Sequence, residues 1–253
     1  MYTEQEFEKL EQEERLLTDE QIAIMLVLLD SLGSDLENEL RNFYQKYGKD
    51  GVVTYSEARK WVSEKDHRRR LTVLMLFVDD RFSSLLNELA IPFEKMANDV
   101  IDKELTFFGV DIDLDYLALA VWGADSLNWL DRLTNDVNLW KYRVMSEVKQ
   151  SLHSGASINE ILGTINDRVK SMKKVLNNLG LTESTAIGSA ARREIFKTLG
   201  ITKYRYYTKA DERTCETCGA LHGLVFPISA YEVGVTASPA HPRCRCWEEP
   251  IVE

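Results

Sequence analysis

The stretch "DERTCETCGALHGLVFPISAYEVGVTASPAHPRCRCWEEP", Asp211 to Pro250, decides how this chain is organised. It holds all four cysteines of the sequence, Cys215 and Cys218 as C-x-x-C and Cys244 and Cys246 as C-x-C, with His241 just ahead of the second pair. Gly219, Gly223, Gly234, Pro227, Pro239 and Pro242 punctuate the same region. Residues of that kind set turns around short strands. "ITKYRYYT", Ile201 to Thr208, is β-branched and aromatic and reads as one strand, and "LVFPI" reads as a second. The tail therefore reads as a small compact α+β unit from about residue 180.

Zinc fits the chemistry and spacing of the cluster. Zn²⁺ takes four tetrahedral ligands, usually thiolates and imidazoles. A C-x-x-C turn points two sulfurs at one place, and the 25 residues between Cys218 and Cys244 suit a hairpin and loop that return the second pair to the first. Such a structural ion contributes about 10 kcal/mol to folding a unit short of large apolar residues. Five candidates compete for four positions: Cys215, Cys218, His241, Cys244 and Cys246. His222 is a weaker sixth, read as a polar turn residue.

Other uses of the cysteines fit less well. Disulfides are rare in a reducing compartment. A thioredoxin-like C-x-x-C opens a helix in a βαβ unit, whereas this one follows a strand in a turn-rich tail. The metalloprotease H-E-x-x-H is absent, as is the deaminase pattern of H-x-E ahead of P-C-x-x-C. A closed Cys₄ or Cys₃His shell leaves no position for a reacting water. A zinc-ribbon DNA-binding protein would need a basic footprint, but Lys203 to Cys246 carries six Lys/Arg against four Asp/Glu, roughly neutral once zinc and four thiolates are counted.

Working outward, the first two thirds read as helix. "TDEQ" at Thr18–Gln21, "TYSE" at Thr54–Glu57 and "SINE" at Ser157–Glu160 fit capping boxes. They predict a long helix from Thr18 to about Tyr47, a shorter one carrying Trp61, and one from Ser157 to about Asn178. Leu71, Leu74, Phe77, Phe82, Leu85, Leu86 and Leu89 have helical spacing over 66–91. Pro92 is expected to kink or break that helix. "TFFGVDIDLDYLALAVWG", Thr106 to Gly123, is left between a short strand and the lead into a helix. Further helices are expected from about Ser126 to His153 and from about Thr182 to Gly200. Trp122, Trp129, Trp140, Tyr142 and Phe107 are expected in the core. Arg168, Lys170, Lys173, Lys174, Arg192, Arg193 and Lys197 read as solvated helix faces, as does "HRRR" at His67–Arg70. No carboxylate pair stands out.

The 253 residues suffice for one large domain or two smaller ones, and the 44% hydrophobic and 28% charged content is an ordinary globular mix. A net charge of −10 repels nucleic acid and anionic lipid at long range. "MYTEQEFEKLEQEERLL" has no basic start and no apolar core, so no secretory leader is expected. The apolar runs "IAIMLVLL" and "LTVLMLFV" fall short of the roughly 20 residues of a membrane span. The expected fold is mainly α: a long helical N-terminal region, 1–153, followed by a small α+β zinc-stabilised module, 154–253.

Asp211, Arg213, Thr214, Cys215, Cys218, Leu221, Gly223, Phe226, Pro239, His241, Pro242, Cys244, Arg245 and Cys246 together make a D-x-R-T-C-x-x-C-x-x-L-x-G-x-x-F run and a P-x-H-P-x-C-R-C loop. This resembles the C-terminal module of phage head morphogenesis proteins of the Mu F type, also called minor head or minor capsid proteins. The resemblance covers about residues 180–249. Thr182, Glu183, Gly200 and Lys203 extend it more loosely, while Ala186 and Gly188–Ser189 do not supply an Arg and an Asn that the family often carries there. It implies Cys218, Cys244 and Cys246 as the shared ligands, with Cys215 or His241 as the fourth. It also implies a non-catalytic virion assembly protein, associated with the portal and the capsid interior and, as a further expectation, with DNA at ejection. The helical region would make the portal, scaffold or self contacts. The alternatives are a host-directed toxin-like or metal-dependent enzyme, and the zinc-ribbon DNA-binding protein.

Overall fold

A computed structural model describes residues 2–48, 53, 56, 60, 65–119, 121 and 126–252, with backbone alone at 66 and 67. The expected box at Thr54–Glu57, Trp61, Trp122 and the His67 side chain lie outside the described residues. The elements are α1 (Glu4–Tyr47), α2 (Lys65–Phe108), α3 (Tyr116–Leu119), α4 (Trp129–Ser154), α5 (Ile158–Thr198), β1 (Lys203–Tyr207), α6 (Glu216–Leu221), β2 (Val225–Pro227), a 3₁₀ turn (Ile228–Ala230) and β3 (Trp247–Ile251). The described chain is mainly helical, with its strands confined to the tail.

Three helices are longer than the sequence suggests. α1 starts at Glu4, because Thr3 and Glu6 form the capping box: the Thr3 N–H donates to Glu6 Oε2 at 2.7 Å and the Glu6 N–H to Thr3 Oγ1 at 3.3 Å. Thr18 sits inside the helix, fully buried, and its hydroxyl bonds to the Glu14 carbonyl at 2.8 Å and to Ser184 Oγ at 2.6 Å. Pro92 does not end α2. Phe93, Met96, Ala97, Val100 and Ile101 follow it at helical spacing and are all buried. Burying a large apolar side chain is worth about 1.5–3 kcal/mol, so several of them outweigh the roughly 3 kcal/mol cost of an interior proline. The box at Ser157 does form, with the Ser157 N–H donating to Glu160 Oε2 at 2.7 Å. The helix it opens then runs without a break past Asn178 to Thr198.

The chain folds into two compact units, one of residues 24–90 and 133–176, the other of residues 1–23, 91–132 and 177–253. These units interleave along the sequence, whereas the division at 153/154 falls at the break between α4 and α5.

The first unit is a ring of four helix segments. Met25, Leu29, Leu32, Leu36 and Leu40 of α1 are buried, as are Leu74, Val78, Phe82, Leu85 and Leu89 of α2. Val137, Trp140, Val144 and Val148 of α4, and Ile161, Ile165, Val169, Met172 and Leu176 of α5, complete the set. Each series repeats at three or four residues, which puts it on one helix face. Ion pairs mark the order around the ring: Arg81–Asp35 at 2.6 Å, Lys141–Asp79 at 2.8 Å, Arg168–Glu147 at 2.8 Å and Lys173–Asp30 at 2.6 Å. Exposed pairs contribute only about 0–1 kcal/mol each, so the apolar faces hold the ring and the charges select neighbours. Tyr142 projects away from this core and is 71% exposed.

The second unit contains the tail, but not the tail alone. Phe7 of α1 and Phe108 of α2 share one core with Ala186, Ala190, Ile195 and Phe196 of α5, and with Tyr204, Tyr231 and Trp247. The tail has too few large apolar side chains to make a core by itself, and the two helix ends supply them. Its sheet has the order β2-β1-β3 and is antiparallel throughout. Gly180 of α5 lies against Ile22 of α1, where an added Cβ would stand 2.8 Å from Ile22 Cγ1. Alanine would gain about 1 kcal/mol of helix propensity at an open site. Here the clash with a buried Ile22 reverses the sign, and Gly180→Ala should destabilise the protein by about 1–3 kcal/mol, read from denaturant unfolding.

Candidate metal centre

The sheet aims the site. In β1, alternate residues face inward, so Tyr204 and Tyr206 are both fully buried while Lys203 and Arg205 point out. Tyr204 enters the aromatic core, its ring 4.5 Å from that of Tyr231. Two residues on, the Tyr206 hydroxyl lies 3.8 Å from Cys218 Sγ and 3.9 Å from Cys244 Sγ.

The two cysteine pairs arrive on different supports. Cys215 caps α6, its sulfur accepting the Cys218 N–H at 3.4 Å, and α6 carries Cys218 into the interior. The C-x-x-C thus opens a six-residue helix, but with antiparallel strands around it and no βαβ unit among the described residues. Gly223, at φ +78°, turns the chain back and donates its N–H to the Tyr206 carbonyl at 2.8 Å. The loop carrying Cys244 is held from α5: Thr182 Oγ1 accepts the Arg243 N–H at 3.0 Å, and Thr185 donates to the Cys244 carbonyl at 3.3 Å.

Asp211 joins the two loops. Its carboxylate receives the Arg213 N–H at 3.0 Å and grips the Arg245 guanidinium through two bonds of 2.7 and 2.6 Å. That fork holds the Asp211 carboxyl far below the usual range. The D-x-R-T and C-R-C segments are therefore clamped together by Asp211 and Arg245. Glu183, fully buried, pairs with Arg132 of α4 at 3.2 Å.

All five expected ligand residues come together. The ligand atoms of Cys218, Cys244 and Cys246 lie within 4.8 Å of one another, and so do those of Cys215, Cys218 and His241. Cys218 belongs to both groups. Cys218, Cys244 and Cys246 are buried, while Cys215 and His241 are partly exposed. No cysteine is in a disulfide. His222 stands apart, accepting the Thr208 N–H at 3.2 Å with its ring against Tyr207.

The donor set suits a cation that prefers sulfur. Four sulfurs about 2.3 Å from a tetrahedral zinc stand about 3.8 Å apart. Cys218 and Cys244 are already at 3.7 Å. The hydrogen bond from Cys246 draws the Cys244 thiol down to about 5, while burial pushes Cys218 up to about 12. Burial therefore opposes a cluster of thiolates here unless positive charge is supplied. A cysteine-rich cluster on a helical scaffold is the class of site this geometry defines. The centre could hold a metal, and the three buried thiols with Cys215 or His241 are the residues that would ligate it.

Residues 142–248 match the protein family described as Phage Mu protein F like protein. The match takes in the second half of α4, all of α5, β1, β2 and the whole cysteine cluster. No curated protein and no solved structure matches the chain significantly. Phage head morphogenesis is the family's usual setting. No described helix is long and apolar enough to cross a membrane.

Sequence reasoning missed a second polar centre. Arg192, read as part of a solvated face, is 1% exposed at the heart of the second unit. Glu104 takes its guanidinium through Nε at 3.0 Å and again through a second nitrogen, with Glu11 at 3.3 Å and Glu248 at 3.7 Å. The available signal was the run "AIGSAA" just before it. Small residues on a helix face let neighbours approach closely, so a cation there is enclosed.

Proposed function

We propose that this protein is a phage minor head protein that acts in head morphogenesis by binding, at the portal and the capsid interior, and that it carries one structural Zn²⁺. The match over residues 142–248 carries this reading. The cluster supports the zinc assignment, since a sulfur-rich tetrahedral set is zinc chemistry and a filled shell of four protein ligands offers no site for turnover. The ion's part is to cross-link α6 to the Cys244–Cys246 loop. Cys218, Cys244 and Cys246 serve as thiolate ligands, and the Tyr206 hydroxyl stands close enough to Cys218 and Cys244 to donate to one of them. The exposed faces of the long helices are the surfaces for portal, scaffold or a second copy.

Deleting the gene from its phage should leave host growth intact and lower the yield of infectious particles. Mass spectrometry of purified virions should find the protein at low copy number, and the purified chain should co-sediment with portal oligomers. Normal infectivity with no portal association would overturn the reading and turn attention to a role directed at the host.

A further inference from the structure

The carboxylates around Arg192 outnumber the cations. Glu11 and Glu14 come from α1, Glu104 from α2 and Glu248 from β3, all within the second unit. Glu14, Glu104 and Glu248 are buried. Arg192 bonds to Glu104 and Glu11 and lies near Glu248, but Glu14 makes no ion pair with it among the described residues. Glu14 Oε1 has no hydrogen-bond donor there either. Glu104 is its acidic neighbour: an added Cβ at Gly188 would stand 3.4 Å from Glu104 Oε1 and 3.6 Å from Glu14 Oε1. Two neighbouring buried carboxylates repel, and one proton between them turns repulsion into a hydrogen bond.

A metal is the other way to relieve such crowding, but the carboxylate oxygens do not converge as ligands do. Among the described residues, only the cysteine groups bring three donor atoms within 4.8 Å. Two of the nearby cations are committed to other acids. A cavity of about 440 Å³ beside Glu11 and Glu14 has Arg15, Lys209, Arg213 and Arg245 on its walls. Arg15 pairs with Asp19 and Arg245 with Asp211. From α5, Arg192 faces Glu14 as a charge and Ser184 meets Thr18. From the tail, Tyr231 donates to Glu248 and so leaves Glu14 unrelieved.

We propose that Glu14 holds a proton in the folded protein, shared toward Glu104, and that losing it loosens the first turns of α1 from α5 and the sheet. Burial, with the charges of Glu104 and Glu11 behind it, raises the Glu14 carboxyl well above its ordinary range. Burial also lifts Glu11, to about 7. The sign follows from linkage. A carboxyl raised in the folded state keeps its full contribution below the unfolded value of about 4.5 and loses it as pH rises toward the folded value. The segment affected is the one carrying Phe7 and Leu10 into the core. The result is a strap that holds in acid and slackens in base.

The test compares the full-length wild type with Glu14→Gln, which keeps the shape and a donor but cannot ionise. Unfolding constants would be measured from about pH 5 to about pH 9. The wild-type constant should grow relative to the variant's, by up to about tenfold per pH unit. Dependence on pH at the cysteine centre is common to both and cancels in the ratio. Amide exchange at residues 7–18, corrected for intrinsic rates, should accelerate with pH in the wild type alone. A ratio that does not change with pH, or falls as pH rises, would overturn the proposal. Should Glu14→Gln fail to fold, infrared spectra of wild-type protein labelled at Glu carboxyl carbons decide the matter. A carboxylic-acid C=O band at neutral pH is expected, and its absence would refute the idea.

Discussion

Cys218→Ser should release the metal and unfold the tail. Cys218 is the residue common to both donor groups, and it is the buried residue of α6. Structural zinc contributes about 10 kcal/mol at neutral pH, far more than the small sheet can replace. Elemental analysis should give about one zinc per chain for the wild type and almost none for the variant. A chelator should reproduce the variant's behaviour. Cys244→Ser and Cys246→Ser should be comparably severe, and of Cys215→Ser and His241→Ala only one should be. His222→Ala, outside the cluster, is the control. Damage should extend to the first turns of α1 and the last of α2, since Phe7 and Phe108 share a core with the tail. The ring of four helix segments has its own apolar core and should keep its helical signal. A metal-free preparation, made under reducing conditions without chelator and still cooperatively folded through the tail, would rule out the zinc assignment.

Arg192→Met should cost about 3–5 kcal/mol, because it leaves the Glu104 carboxylate buried without its cation. The side chain is close in size, so the loss reports charge more than packing. Arg192→Met combined with Glu104→Gln should recover a large part of that loss. Replacing a whole buried pair is often neutral, whereas removing half of one is costly. Denaturant unfolding of the two single variants and the double variant gives the coupling directly. Strict additivity would show that the two groups do not act on each other.

Much of the site was legible because its signal is local. Cys215, Cys218, His241, Cys244 and Cys246 stand at spacings that a short helix and a tight loop convert into convergence. The strand at Lys203–Tyr207 was legible for the same reason, since alternation is a property of neighbours. Helix starts and stops were less so. Thr18 looks like a cap, but a buried hydroxyl can bond back to its own helix and to Ser184 across the packing. Pro92 looks like a break, but the apolar series beyond it decides otherwise. β3 carries no strand pattern of its own: "WEEPI" pairs because Tyr204 and Tyr206 lie beside it. The Arg192 cluster was hidden most deeply. Its acids come from Glu11, Glu14, Glu104 and Glu248, and only the assembled unit brings them to one place.

The reach of those contacts along the chain bears on the order of assembly. Thr18 meets Ser184 across 166 positions, and Glu11 meets Arg192 across 181. Helices form within about a microsecond from local contacts alone. Contacts between distant positions must first overcome the entropy of closing the intervening chain, and proteins rich in them fold slowly. In the first unit α1 and α2, joined by Arg81 and Asp35 at 46 positions apart, can therefore begin to pack early. The three separated pieces of the second unit join late, with the start of α1 docking onto α5. Until that docking, the Ala186–Ala190 face and the rings of Phe196 and Tyr231 lie open to the solvent. The interval before closure is thus when the nascent protein is most exposed to self-association.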